Sequence, residues 1–398
     1  MSRAALILED KTIFQGKPFG APVDASGEVV FNTGMVGYQE ALTDPSYRGQ
    51  ILVLTYPLIG NYGVTSSNSK LKTKNSNLDL KSKILLSSRF ESNNIQITGL
   101  IISEYCAQYS HPSAKQSLAD WLKSENIPAI EGVDTRSLTE KLREKGTMLG
   151  IINSKFKIQN SKLQLKIKNF EDPNQRNLAA EVSCKEPLIY EPQKNNIQYP
   201  ISNILLYDCG VKLNIIRSLL NRNCRVVRVP WDHELAIKNY ELKIMNYKID
   251  GIVISNGPGD PTKCDKTIEQ IKFIIHNSKF IIPILGICLG NQIMALAAGA
   301  KTYKLKYGHR GQNQPVIMSS NAFITSQNHG FAVDEKTLPA DWKVWFKNLN
   351  DETVEGIRHL RHLEKPWMAV QFHPEAAPGP TDTEWVFDEW LELVKSSK

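Results

Sequence analysis

The chain has 398 residues, 41% of them hydrophobic and 22% charged, with a formal net charge of +7. That length holds two or three domains, each able to bury a core, and the composition is that of an ordinary globular protein. The positive charge is mild and forms no basic stripe interleaved with aromatics, and no apolar run reaches the ~18 residues of a membrane helix, so neither nucleic acid nor a membrane is an expected partner.

The chain opens on Met1–Asp10, too short and too soon acidic for a signal peptide, and reads directly into a strand. The first half is β-rich, with short apolar runs at Ala5–Leu8, Glu28–Asn32 and Gln50–Tyr56 separated by Gly and Pro turns. Phe31–Tyr47 and Tyr56–Val64 carry glycines, aromatics and few charges, and are expected to offer an apolar docking face to a protein partner. Ser66–Asn94 is Lys/Asn-rich and reads as a solvated surface excursion. Helices are expected at Ser117–Ser124 and Asp134–Lys145; in the second, Asp134 or Thr135 caps and Leu138 and Leu142 share a face. Ser154–Asn196 reads as a connection with one short helix near Leu178–Val182.

From Asn203 the rhythm changes. Strands are expected at Ile204–Tyr207, Arg225–Val229, Gly251–Ser255, Phe280–Ile287 and Trp367–Phe372. Helices are expected at Leu213–Leu220, Thr267–Asn277, Asn291–Ala298 and Thr383–Lys395. Alternating strands and helices predict an α/β, doubly wound, mostly parallel sheet behind a β-rich α+β domain. The expected division is 1–152, a linker at 153–200, and 201–398. The six cysteines, Cys106, Cys184, Cys209, Cys224, Cys264 and Cys288, lack CxxC spacing. They read as reduced thiols of an intracellular protein, and no metal site is expected in this chain.

Cys288 sits in Gly-Ile-Cys-Leu-Gly, residues 286–290, between an apolar strand and a helix-compatible run. This is the pattern of a nucleophile elbow: small flanking residues permit a sharp turn, and the positive end of the helix lies near the sulfur and favours thiolate. A buried structural cysteine gains nothing from a glycine two residues to either side. Downstream, Pro374 breaks helix continuation and leaves His373 and Glu375 on a loop at a strand end, a base with a carboxylate to orient it. Asn256-Gly257-Pro258-Gly259-Asp260-Pro261 follows another strand. Its Gly257 N–H and the Leu289 N–H are candidate oxyanion donors for a tetrahedral adduct at Cys288. Asn328-His329-Gly330-Phe331 reads as a polar turn able to meet the ends of an amino acid, or as a plain hairpin turn.

Together these motifs resemble the class I glutamine amidotransferases. Phe31–Tyr47, Tyr56–Gly63, Asp134-Thr135-Arg136 and Asp208–Arg217 narrow the resemblance to the small subunit of glutamine-dependent carbamoyl phosphate synthetase, over nearly the whole chain. The resemblance implies that Cys288 is the nucleophile, His373 the general base and acid, and Glu375 the orienting carboxylate. It implies that Ser46, Gly257, Gly259, Leu289, Gln292, Asn328, Gly330 and Phe331 hold L-glutamine, with the pocket at or near the junction of the two halves. It also implies a large synthetase subunit as partner in a heterodimer, pyrimidine or arginine biosynthesis or both, and a cytoplasmic or plastid-stromal setting. ATP and its divalent metal are expected on that partner, since no P-loop occurs here, and no cofactor is expected in this chain. Asn291 stands where the family usually has histidine; it cannot take up a proton and is assigned no catalytic step. An amidotransferase of anthranilate or guanylate synthesis would leave the N-terminal half unexplained. A non-catalytic relative would be expected to lack one of Cys288, His373 and Glu375. A Cys hydrolase acting alone would co-purify with no large partner.

Overall fold

The computed structural model describes residues 3–65, 89–156, 172–192, 201–235, 237–238, 241–277 and 281–397. They divide into two compact units, one running up to Arg176 and one from Asn177 onward.

The first unit is a closed barrel. Its strands are β1 (Ala4–Leu8), β2 (Ile13–Pro18), β3 (Ala25–Asn32), β4 (Gln50–Leu54), β5 (Gly99–Ile101), β6 (Ala129–Glu131) and β7 (Met148–Asn153), in the spatial order β1-β2-β6-β5-β4-β3-β7. β1 and β4 are buried along their whole length, and closure through the β1–β7 pairing leaves no open edge. Helices α1 (Tyr38–Thr43), α2 (Leu118–Ser124) and α3 (Thr135–Lys145) are this unit's described α-helices. Asp134 caps α3 by accepting the Ser137 N–H at 3.0 Å, and Leu138 and Leu142 are buried four residues apart, as the sequence predicts. The expected apolar docking face is mostly core. Phe31, Tyr38, Leu42 and Tyr47 are buried, while Met35, at 64% exposed, and Val36 face solvent. The aromatics of this segment close over the barrel, with the Tyr38 hydroxyl donating to the Gly63 carbonyl at 2.6 Å.

The polar excursion at 66–94 lies mostly outside the described residues. Its last part is not a solvated loop: Phe90 and Glu91 are fully buried, and the Phe90 ring stacks on Trp121 at 5.3 Å.

In the second unit, short helix α4 (Leu178–Val182) and strand β8 (Leu188–Tyr190) come first. Strands β9 (Ser202–Asp208), β10 (Cys224–Pro230), β11 (Gly251–Ile254) and β12 (Ile284–Ile287) alternate with helices α5 (Leu213–Asn221), α6 (Asp265–His276) and α7 (Leu289–Ala298). The expected strand at Phe280–Ile287 begins at Ile284, and Phe280 lies outside the described residues. Then follow β13 (Thr302–Met318), β14 (Asn321–Val333), β15 (Trp342–Asn348), β16 (Val354–His359), β17 (Trp367–Val370) and helix α8 (Trp385–Ser396). Among the described residues these build one sheet of ten strands, in the order β8-β10-β9-β11-β12-β17-β16-β14-β13-β15.

The middle of that sheet, β10-β9-β11-β12-β17, is parallel and runs nearly continuous in Val, Ile and Leu, because helices cover both faces. β8 pairs antiparallel with β10 at one edge, and at the opposite edge β16, β14, β13 and β15 form an antiparallel wing that the sequence reading lacks. Its 17- and 13-residue strands β13 and β14 are joined by a two-residue turn at 319–320, with Ser319 at φ 55°. Consequently Asn328–Phe331 is no turn. It lies inside β14, opposite a register shift in β13 between Lys304 and His309, and a second shift, between Gly311 and Gln314, lies opposite the neighbouring residues Thr325 and Gln327. Such bulges re-aim side chains beside functional sites.

Candidate active site

Cys288 joins β12 to α7 with φ 55° and ψ −102°, a conformation an L-residue rarely adopts and one that costs on the order of 1–3 kcal/mol unless its surroundings impose it. The surroundings do so through contact. A Cβ at Gly290 would lie 2.2 Å from the Ile254 carbonyl oxygen, and one at Gly286 would lie 2.5 Å from the Gly290 carbonyl oxygen. Only glycine lets strand and helix approach this closely, and the Cys288 N–H is anchored on the Val370 carbonyl at 2.8 Å.

Around the sulfur the structure gathers groups from three places in the chain. The Asn328 carbonyl of β14 is 3.7 Å from Sγ. The Gln371 amide nitrogen, just past β17, is also at 3.7 Å. Gln371 Oε1 accepts from Asn291 Nδ2 at 3.0 Å and Gln292 Nε2 at 3.2 Å, which fixes that amide with its N–H₂ toward the thiol. Gln292 also donates to the Phe331 carbonyl at 2.8 Å. Asn291, given no catalytic step from sequence, therefore orients a group that touches the sulfur. Gln371 has no role in the sequence reading; its only signal there is its place two residues before His373.

His373 and Glu375 follow on the loop, buried, with Nδ1 2.7 Å from Glu375 Oε1. The carboxylate fixes the proton on Nδ1 and leaves Nε2 as the working nitrogen. Nε2 is buried with no hydrogen-bond partner. Burial pushes the imidazole's pKa down, but the Glu375 charge outweighs it, Lys212 opposes and Cys288 adds, raising it to about 10. Burial likewise pushes Glu375 up, and Lys212 and His373 outweigh it, holding the carboxyl at about 2. At neutral pH the pair is imidazolium and carboxylate.

Lys212 is the residue that sequence reasoning missed. Its Nζ is 3.0 Å from Glu375 Oε1 and donates to the Ala376 carbonyl at 2.6 Å, and its side chain is 3% exposed. The turn that carries it is wired in place: Asp208 accepts the Gly210 and Val211 N–H groups at 3.0 and 2.9 Å, and Asn256 accepts that of Lys212 at 2.9 Å. Asn214 from α5 donates to the Glu375 carbonyl. A lysine ahead of a helix carries no sequence signal of this role; only the fold brings it to Glu375.

The loop after β11 comes against the elbow. A Cβ at Gly257 would lie 2.0 Å from the Cys209 carbonyl oxygen and 2.8 Å from the Leu289 side chain, and Gly259 has φ +84°. Leu289 is the first residue of α7, so its N–H has no partner within the helix. A Cβ at Gly330 would meet only Arg310, at 3.4 Å. Ser46 belongs to the other unit, in the single turn Pro45–Tyr47, with its N–H on Asp44 at 2.9 Å.

Lys212→Met should leave a buried carboxylate without its cation and cost on the order of 3–5 kcal/mol of stability at neutral pH. A carboxyl held low stabilises the fold above its ordinary pKa of 4.5 and loses that contribution as pH falls through about 2. The deficit against wild type, read by urea denaturation, should therefore shrink between pH 5 and pH 2. A deficit that does not change with pH would mean Lys212 acts by packing alone.

Residues 6–152 match the family model "Carbamoyl-phosphate synthase small chain, CPSase domain", and residues 205–393 match "Glutamine amidotransferase class-I". The chain is 46% identical to the Multifunctional protein pyr1-3 of Dictyostelium discoideum over 98% of its length. It is 48% identical to the Multifunctional protein CAD of Squalus acanthias over 99%. It is 45% identical to the human mitochondrial Carbamoyl-phosphate synthase [ammonia], again over 99%. It spans 17%, 16% and 24% of those proteins. The chain belongs to the carbamoyl-phosphate synthase small-chain family, its second half being a class-I glutamine amidotransferase domain.

Proposed function

We propose that this chain hydrolyses L-glutamine to glutamate and ammonia through a thioester on Cys288, and that the ammonia goes to a large synthetase. That synthetase makes carbamoyl phosphate from bicarbonate and ATP, for pyrimidine or arginine biosynthesis or both. Relatives are named both as multifunctional proteins and for ammonia, so family membership alone does not choose glutamine. The observation that carries the choice is the buried array of Cys288, His373, Glu375 and Lys212.

The Cys288 thiolate forms a bond to the carboxamide carbon, and the carbonyl electron pair moves onto oxygen, held by the Gly257 and Leu289 N–H groups. The carbon–nitrogen bond then breaks as His373 Nε2 gives its proton to the leaving ammonia. Water attacks the thioester, neutral His373 takes its proton, the carbon–sulfur bond breaks and glutamate leaves. Gly259, Gln292, Asn328, Gly330 and Phe331 hold the substrate, and nucleotide and metal reside on the synthetase.

Hydroxylamine added to the protein with glutamine should divert the acyl group to γ-glutamyl hydroxamate, with glutamate release falling in proportion. A protein that releases neither product from glutamine, alone or with its synthetase, would sink the reading.

A further inference from the structure

The antiparallel wing buries a second titratable cluster that this mechanism leaves unused. His309 of β13, His329 of β14 and Glu355 of β16 are 8%, 5% and 0% exposed. Glu355 Oε1 is 3.2 Å from His309 Nδ1 and 3.7 Å from His329 Nε2, and all three ligand atoms lie within 4.8 Å of one another.

The hydrogen bonds behind each ring fix what faces the centre. His329 Nδ1 is 2.8 Å from the Phe331 carbonyl, which only accepts, so Nδ1 carries the hydrogen and Nε2 a lone pair. His309 Nε2 is 2.9 Å from Asp351 Oδ2, so in the neutral ring Nδ1 carries the lone pair. With His309 neutral, two lone pairs converge on the carboxylate; without a metal, burial pushes the His309 pKa down but the Asp351 and Glu355 carboxylates outweigh it, raising it to about 9 and favouring a proton there instead. Asn348 and Thr353 donate to Glu355 Oε1 at 3.2 and 3.4 Å, but Oε2 is buried with no partner at all. Gln327 Oε1 adds a further acceptor, 3.3 Å from His329 Nε2. An acceptor-rich, buried centre calls for a cation.

We propose that His309 Nδ1, His329 Nε2 and the Glu355 carboxylate form a binding site for a divalent transition metal of the zinc type. Two imidazoles and one carboxylate are a zinc donor set, and zinc–ligand bonds of about 2.0–2.1 Å put neighbouring tetrahedral ligands roughly 3.3 Å apart. The gaps of 3.2 and 3.7 Å need only small adjustments, while the two ring nitrogens, within 4.8 Å of each other, close by up to about 1.5 Å when a metal draws them in. A carboxylate on one ring and a carbonyl on the other, each holding the far N–H, are the partners that metal-bound histidines use to set their tautomer. The ligands lie far apart in sequence with no cysteine among them, which is why the cysteine spacing predicted no metal. The site ties β13, β14 and β16 together one residue from Asn328, and the Glu355 carbonyl accepts the N–H of Gln371 at 2.8 Å. Metal there braces both contacts to the Cys288 sulfur.

A proton on His309 is the competing occupant, and the experiment separates the two. Untagged full-length protein carrying Cys288→Ser, so that the thiolate cannot compete, is titrated with Co²⁺. The expected result is one equivalent bound, with visible ligand-field bands, and loss of those bands in both Glu355→Gln and His309→Asn. No bands in the parent protein, or bands that persist in both variants, would overturn the site. Should the variants fold poorly, a Zn²⁺-soaked crystal of the unsubstituted protein decides. Anomalous density between the three ligand atoms supports the proposal, and its absence there sinks it.

Discussion

Cys288→Ser should lower glutamine hydrolysis by at least about a thousandfold while ammonia-dependent carbamoyl phosphate synthesis by the assembled enzyme stays unchanged. A serine hydroxyl at neutral pH is a far weaker nucleophile than a thiolate, and nothing else near the sulfur can replace it: Asn328 presents a carbonyl and Gln371 an amide nitrogen. The strained backbone at residue 288 is imposed by the contacts of Gly286 and Gly290, which serine does not alter, so the thermal midpoint should move by no more than a few degrees. Glutamate release, carbamoyl phosphate formed from ammonium, and a melting curve give the three readouts. A serine variant that hydrolyses glutamine at the wild-type rate would remove Cys288 from the mechanism. Loss of both activities with an unchanged melting curve would place its role in the synthetase step.

The second large effect is expected at His373. Asparagine there can still hydrogen bond to Glu375 but cannot carry a proton, so turnover should fall by about a thousandfold or more. Glu375→Gln should cost less than His373→Asn, because the imidazole that moves the proton remains. It should also change the pH dependence. With Glu375 gone, burial and Lys212 both act to lower the imidazole's pKa, so the ring should be neutral at pH 7 and the basic limb of activity should move down in pH. The sign for stability follows from linkage. A histidine raised to about 10 stabilises the fold fully below its ordinary 6.5 and loses that contribution as pH rises through 10. Glu375→Gln should therefore abolish a loss of stability that wild type shows between pH 7 and 10. Proton NMR of the His373 ring in both proteins, with steady-state glutamine hydrolysis, tests the assignment. A larger rate loss for Glu375→Gln than for His373→Asn would reverse the two roles.

Local sequence determined the parts of this protein that depend on local physics. The five parallel strands are legible because both faces are buried, so Val, Ile and Leu run nearly unbroken, and in the first unit α3 is legible because Leu138 and Leu142 repeat on one helix face. The elbow at Cys288 and the loop with His373 and Glu375 are legible because glycine and proline impose backbone geometry on their neighbours. The long hairpin β13–β14 is not legible, since its residues are half exposed and its bulges break the alternation that marks a strand. Asn328–Phe331 consequently reads as a turn when it is a strand. Lys212 on Glu375 and the convergence of His309, His329 and Glu355 were decided by tertiary structure alone. Residues separated by 163 positions (375 − 212) leave no pattern in the chain, and their ion pair exists only because β9 and β17 end on the same side of one parallel sheet.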